Sequence, residues 1–339
     1  MLAVAVLFVL LGCNGPTFEP SPPISLEVIG LGLEGIAAPK HTTVERITDS
    51  FQDGSSAIDL YVPIDADRPT PVVIVLQGAR VHKSYYSGFC ARIAAHGFVV
   101  ASANHNSPLG YFTSTASVRD VLTYLNTRAN DFSDQLFDVI DLERIGIFGH
   151  SFGGATALTL VQGDCNFPFC AMAFERPNSL RAVSVYGSHL VELTGDVISV
   201  DAKGLPIQLV SGDRDSVADS ADIEQTYDAI RNGSKQLVQL KRANHFAIND
   251  LNNPPGTVTD SSTPLIEQDI SIAVAADWVG LFMRAHVRNE VDAHHYFQTS
   301  GTHENDQFTA TYEPFQLQPP TQAQSATRMS LSEADLDPR

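Results

Sequence analysis

The sequence predicts an α/β domain on a doubly wound, mostly parallel sheet of about eight strands, with no large cap domain. Three observations carry that prediction. Short apolar runs rich in β-branched residues recur without alternation, the pattern of strands buried on both faces. Helical stretches separate them, so strand and helix follow each other as in crossover-connected parallel sheets. Only about twenty residues lie between the run ending at Tyr186 and the run beginning at Pro206, too few for a helical cap.

The elements follow in order. Residues 43–47 and 57–62 read as two strands, an antiparallel edge. Residues 71–76 form a continuous apolar run closed by Gly78, the first fully buried strand. A helix is predicted over 84–96, a strand over 98–102 and a helix over 115–130. A strand at 144–148 and a helix at 154–161 follow, then strands at 182–186 and 206–210. A helix at 219–231, a strand at 236–240 and a long helix at 265–288 complete the pattern. There is no internal repeat.

The ends read differently. Leu2 to Gly12 is an apolar run too short to span a bilayer as a helix, and it fits the apolar region of an export signal. It ends in Leu10-Leu11-Gly12-Cys13, which resembles the bacterial lipobox, so Cys13 is the expected lipid anchor; no Lys or Arg precedes the run. We therefore divide the chain into a signal at 1–12, a Pro-rich tether at 13–40, a folded domain at 41–290 and an acidic, polar, partly disordered tail at 291–339. Export permits disulfides. Cys165 and Cys170 flank a loop-like spacer and can close a small ring, with Cys90 left as a buried thiol; three free thiols are the alternative.

The formal net charge is −18 over 339 residues. No basic cluster interrupts it, which argues against a nucleic-acid partner. A monomer is expected.

The most specific stretch is Arg144-Ile145-Gly146-Ile147-Phe148-Gly149-His150-Ser151-Phe152-Gly153-Gly154. A strand runs into Gly-x-Ser-x-Gly, and a helix of small residues follows. This is the layout of a nucleophile elbow, with Ser151 in a strained turn at a helix N-terminus. A serine hydroxyl needs a base, and the base needs an orienting acid. In the order Ser, acid, His, the acid follows the strand at 206–210. Asp215 is the first candidate and Asp213 the second. The base follows the strand at 236–240, which selects His245. The expected oxyanion donors are the N–H groups of Phe152 and of Ala79, the residue after Gly78. Loss of one such donor costs about 3–4 kcal/mol of transition-state stabilisation.

Other histidines have plainer readings. His150 lies inside the elbow and faces the sheet, and His96 ends a helix, where it suits the dipole. His105 follows a strand and can give polar support near the site. His294, His295 and His303 fall in the tail. None has metal-site spacing, so neither metal nor cofactor is expected.

Residues 91–100, the elbow at 149–156 and Asn244-His245-Phe246 resemble one branch of the α/β-hydrolase superfamily. The branch includes platelet-activating-factor acetylhydrolases, chlorophyllase-like and dienelactone-hydrolase-like enzymes, and cutinase-type polyester hydrolases. The resemblance covers roughly residues 56–288. Several positions depart from the polyester hydrolases. Ala79 stands where they carry an aromatic residue, Phe152 where they carry methionine, and Ser188-His189 where they carry a Trp-His pair; the only tryptophan is Trp278. By that comparison the aromatic clamp for a terephthalate-like ring is missing, and Ser188 and His189 become the candidate substrate-binding residues. The elbow and Tyr85-Tyr86-Ser87 look closer to the acetylhydrolases.

The resemblance and the residues together predict a carboxylic-ester hydrolase with an open site, exported and anchored to a membrane by lipid. Short-chain acyl esters or phospholipids are the first substrate class, and cutinase-like polyester hydrolysis is the alternative. A non-catalytic surface lipoprotein and an amidase are the remaining readings.

Overall fold

The computed structural model describes residues 22–26, 32–52, 54–107, 109–164, 168–170, 175–191, 195–299 and 302–315. The expectations for the export signal, Cys13 and Cys165 lie outside them.

The chain forms β1 (Ile24–Ser25), β2 (Thr43–Phe51), β3 (Ser56–Pro63), β4 (Thr70–Leu76), α1 (Ser87–Ala95) and β5 (Val99–Ala103). A small hairpin, β6 (Asn106–Ser107) and β7 (Gly110–Tyr111), precedes α2 (Thr115–Ala129), β8 (Ile140–His150), α3 (Phe152–Gln162) and β9 (Leu180–Tyr186). Then come β10 (Val200–Asp201), β11 (Ile207–Gly212), α4 (Ser220–Ala229), β12 (Ile230–Arg231) and β13 (Lys235–Leu240). The last elements are α5 (Gln268–His286), α6 (Val291–Thr299), β14 (Thr302–Glu304) and β15 (Phe308–Glu313).

Eleven strands form one sheet in the order β1-β2-β3-β5-β4-β8-β9-β11-β13-β15-β14. The six from β5 to β13 are parallel, and antiparallel strands extend it at both sides. This is the α/β-hydrolase architecture. The buried runs fail to alternate because both faces are covered. Val73 and Val75 of β4 pack toward α1 and α5, whereas Val72, Ile74 and Leu76 pack toward α2 and α3. The connection from β4 leads to β5 on one side, and β8 then joins on the other. The loops after β4 and β8 therefore splay apart at the carboxyl ends of the strands, where open α/β sheets hold their ligands.

Two boundary expectations are corrected. The segment from 32 to 40 is not tether: Ala37 is buried, Leu33 N–H donates to Asp277 Oδ2 at 2.8 Å, and Arg284 donates to the Ile36 and Ala38 carbonyls. Nor is 291–313 a tail. α6 buries Ala293 and Phe297 against Trp278, and β15 pairs antiparallel with β13, burying Phe308 and Ala310. Each element buries few apolar side chains among polar neighbours, too few to register as periodicity. These additions and β1 raise the sheet from about eight strands to eleven. A smaller correction concerns 84–96. Lys83–Tyr86 is a 3₁₀ turn, and α1 begins at Ser87, where the Asp250 carboxylate accepts from the N–H groups of Ser87 and Gly88. Cys90 is a buried free thiol and Cys170 is disulfide-bonded.

Candidate active site

β8 ends at His150 and α3 begins at Phe152, leaving Ser151 alone to make the turn at φ 51° and ψ −120°. Such positive φ in a non-glycine residue is strained and persists only where surroundings hold it. Here Ser151 N–H donates to the Tyr186 carbonyl of β9 at 2.9 Å. The flanking glycines are steric requirements. A Cβ on Gly149 would lie 2.4 Å from the Gly153 carbonyl oxygen, and one on Gly153 would lie 2.2 Å from that of Leu76.

The loops after β11 and β13 supply a carboxylate and an imidazole. Asp215 Oδ2 lies 2.7 Å from His245 Nδ1, and both side chains are fully buried or nearly so. Asp215 Oδ1 accepts from the N–H groups of Val217 and Ala218, which fixes the carboxylate plane. Gly187 makes room for the pair, since a Cβ there would sit 2.9 Å from His245 Nδ1. Asp213, the alternative acid, instead accepts from Arg242 N–H at 2.6 Å and does not reach the imidazole. With Nδ1–H directed at Asp215, Nε2 of His245 is free to accept a proton. His245 and Ser151 line one small cavity of about 50 Å³ with Ala79 and Phe246. Among the described residues no hydrogen bond joins the Ser151 hydroxyl to His245; such bonds commonly tighten only when substrate is present.

The two residues expected to supply the oxyanion donors, Ala79 and Phe152, both border the space beside Ser151. Ala79 and Phe152 line a second cavity of about 220 Å³ together with Ser151, Ser188 and His189. Among the described residues neither the Ala79 nor the Phe152 N–H donates to a protein acceptor, whereas Gly78 and Arg80 on either side of Ala79 do. Ser188 Oγ and His189 Nδ1, also in this cavity, are buried without partners.

Four features escaped sequence reasoning. Phe152 packs between Phe112 (5.3 Å, edge-on) and Phe169 (4.9 Å, tilted), so an aromatic row borders the site although the family's clamp positions are not aromatic. Phe152 also borders a larger cavity of about 490 Å³ lined by His105, Leu109, Phe112 and Pro168. Asp260 accepts from His245 N–H at 2.8 Å and from Ser216 Oγ at 2.5 Å, clasping the base loop to the acid loop. Tyr86 hydrogen-bonds His150 beneath the elbow. None of these carries a local motif; each depends on a contact distant in sequence. His105 lines the larger cavity, and burial lowers its pKa to about 4, so it is neutral there. His96 ends α1 as expected, but it is buried against Asp277 at 3.1 Å, and burial lowers its pKa. Among the described residues no group of three His, Cys, Asp or Glu could hold a metal ion.

The profile of a family described as PET hydrolase-like matches residues 32–261. Cutinase est1 of Thermobifida alba is 27% identical over 226 residues, 66% of this chain and 69% of that protein. Cutinase 2 of Thermobifida cellulosilytica is 26% identical over 219 residues, 64% of this chain and 76% of that protein. Cutinase cut1 of Thermobifida fusca is 26% identical over 219 residues, 64% and 62% of the two chains.

Proposed function

The chain belongs to the PET hydrolase-like family of α/β-hydrolases, and from that premise we propose that it cleaves carboxylic esters through an acyl-enzyme on Ser151. The observation that carries this is the strained Ser151 lining a cavity shared with His245, whose Nδ1 Asp215 holds. In the proposed sequence His245 Nε2 takes the Ser151 proton as Oγ attacks the ester carbonyl. Asp215 holds the imidazole in the tautomer that can accept it. The Ala79 and Phe152 N–H groups receive the oxyanion. His245 then protonates the departing alcohol, and water releases the acid by the same route.

Of the two substrate classes, the polyester-like one is favoured. The relatives it matches are named cutinases. The aromatic row of Phe112, Phe152 and Phe169 supports the same reading, because it offers ring faces and edges to an apolar chain beside the scissile bond. Absence of a helix among the described residues between β9 and β11 leaves the site open to a bulky substrate. Export through the 1–12 segment and lipidation at Cys13 complete the proposal; palmitate labelling lost in Cys13→Ser tests it.

Ser151→Ala is expected to reduce kcat on p-nitrophenyl butyrate by at least about 10⁴-fold in a folded protein. Retained turnover would overturn the assignment. Assayed beside that control, amorphous polyester film, tributyrin and oxidised phospholipid vesicles rank the substrates; faster turnover of phospholipid than of polyester would reverse the preference for a polyester-like substrate.

A further inference from the structure

Three loops must hold fixed positions for the proposed chemistry: the one carrying Ala79 after β4, the elbow after β8, and the one carrying His245 after β13. They come from distant parts of the chain, and one buried path connects all three. Gly78 N–H donates to the Tyr86 hydroxyl oxygen at 2.9 Å. The Tyr86 hydroxyl lies 2.7 Å from His150 Nδ1, and His150 Nε2 lies 3.0 Å from the His245 carbonyl oxygen. Tyr86 and His150 are completely buried.

The protons on this path have one consistent arrangement. A carbonyl oxygen only accepts, so His150 Nε2 carries the hydrogen and Nδ1 is bare. The Tyr86 hydroxyl must then donate to Nδ1, and its oxygen is left to accept from Gly78. Burial keeps His150 neutral, lowering its pKa well below the ordinary histidine value, with the neighbouring His245 acting in the same direction. Burial raises the Tyr86 phenol, so it keeps its proton. Every buried polar atom of the path is therefore satisfied, and removing one leaves the others unpaired in a dry site.

We propose that Tyr86 is a positioning residue of this site, which fixes the oxyanion loop at Gly78 to the base loop at His245 through His150. It touches no substrate. It acts by aiming the Ala79 N–H, one peptide from its bond to Gly78, relative to Ser151 and His245. The inference rests on the serine-hydrolase reading above.

Tyr86→Phe keeps the ring and removes only the hydroxyl. Active sites are counted by fluorophosphonate labelling of Ser151, and turnover of p-nitrophenyl butyrate is expressed per labelled site. Expected are a kcat lower by about 10- to 100-fold, the range for a misaimed oxyanion donor, and a KM within about twofold. Affinity for an alkylboronic acid, which mimics the tetrahedral intermediate, should fall by the same factor as kcat/KM. A merely structural role would lower the melting temperature and the labelled fraction but leave kcat per site unchanged, and that result overturns the proposal. His150→Leu cuts the same path from its other end and carries the same expectation should Tyr86→Phe not fold. The double variant is expected to be no slower than the slower single one; fully additive losses also count against the path. Failure of the wild-type chain to label at Ser151 would instead bring down the hydrolase reading itself.

Discussion

Among the described residues two aspartate–histidine pairs are buried, Asp215–His245 and Asp277–His96, and they differ in what else they meet. Asp215 and His245 meet at 2.7 Å at the carboxyl ends of β11 and β13, beside a cavity that also exposes Ser151. Asp277 and His96 meet at 3.1 Å between α5 and the end of α1. There the carboxylate is closed off. Arg92 donates to both of its oxygens, at 2.6 and 2.7 Å, and Leu33 N–H donates to Oδ2. Burial would raise the Asp277 carboxyl, but the Arg92 and His96 hydrogen bonds outweigh it and hold the carboxyl below its usual range. The first pair borders a cavity that Ser151 also lines; the second ties down the N-terminal segment and the α1–α5 layer. The chemical difference lies in the third partner: a strained serine with a cavity in one case, a buried guanidinium in the other.

The largest expected effect separates the pairs by activity. Asp215→Asn should lower kcat by about 10⁴-fold, because an amide favours the wrong histidine tautomer. Steady-state kinetics on p-nitrophenyl butyrate measure this, and a loss below tenfold would erase the distinction. Asp277→Asn addresses the other side. It leaves the Arg92 cation buried without its counter-charge, which costs about 3–5 kcal/mol of stability. Urea unfolding reads that loss, while kcat per labelled Ser151 stays at the wild-type value. A selective fall in kcat would mean that the second pair also serves the site.

The smallest effect is a pH dependence of the fold. Burial depresses the pKa of His96, and lowers His105 to about 4 and His286 to about 3. Unfolded histidine titrates near about 6.5, so below that pH the unfolded chain takes up protons that the folded chain refuses. Their contribution is complete above about pH 6.5 and is lost as pH falls, reaching its limit near 4 for His105 and near 3 for His286. Asp277, also depressed, contributes fully above the unfolded aspartate value of about 3.9 and is lost as pH falls through its lower folded value. Urea midpoints should therefore decline from pH 7 to 5 and again below 4. A flat profile between 8 and 5 would argue that these histidines are solvated.

Legibility followed the range of the interactions. The parallel strands were readable because burial on both faces leaves unbroken apolar runs such as Val72 to Leu76. The elbow was readable because its glycines answer to a local backbone turn. Asp215 and His245 were readable because the order of strands restricts where an acid and a base can follow. Tyr86, 64 residues from His150, carried no such signal. Neither did Asp260, Phe112 or Phe169, nor the C-terminal strand at Phe308–Glu313, which exists because β13 offers it an edge.

By itself, then, the sequence determined the sheet's strand–helix alternation, the serine at its turn, and the candidate acid and base, all of which depend on residues adjacent in the chain or on their order along it. Tertiary structure showed that of the two ranked carboxylates Asp215, not Asp213, reaches His245. It also decided which aromatic rings border the site, how the oxyanion loop is tied to the base loop, and which aspartate–histidine pair is sealed. Those outcomes depend on contacts such as the 2.7 Å of Asp215–His245 and of Tyr86–His150, between residues far apart in the chain, and no local pattern encodes them.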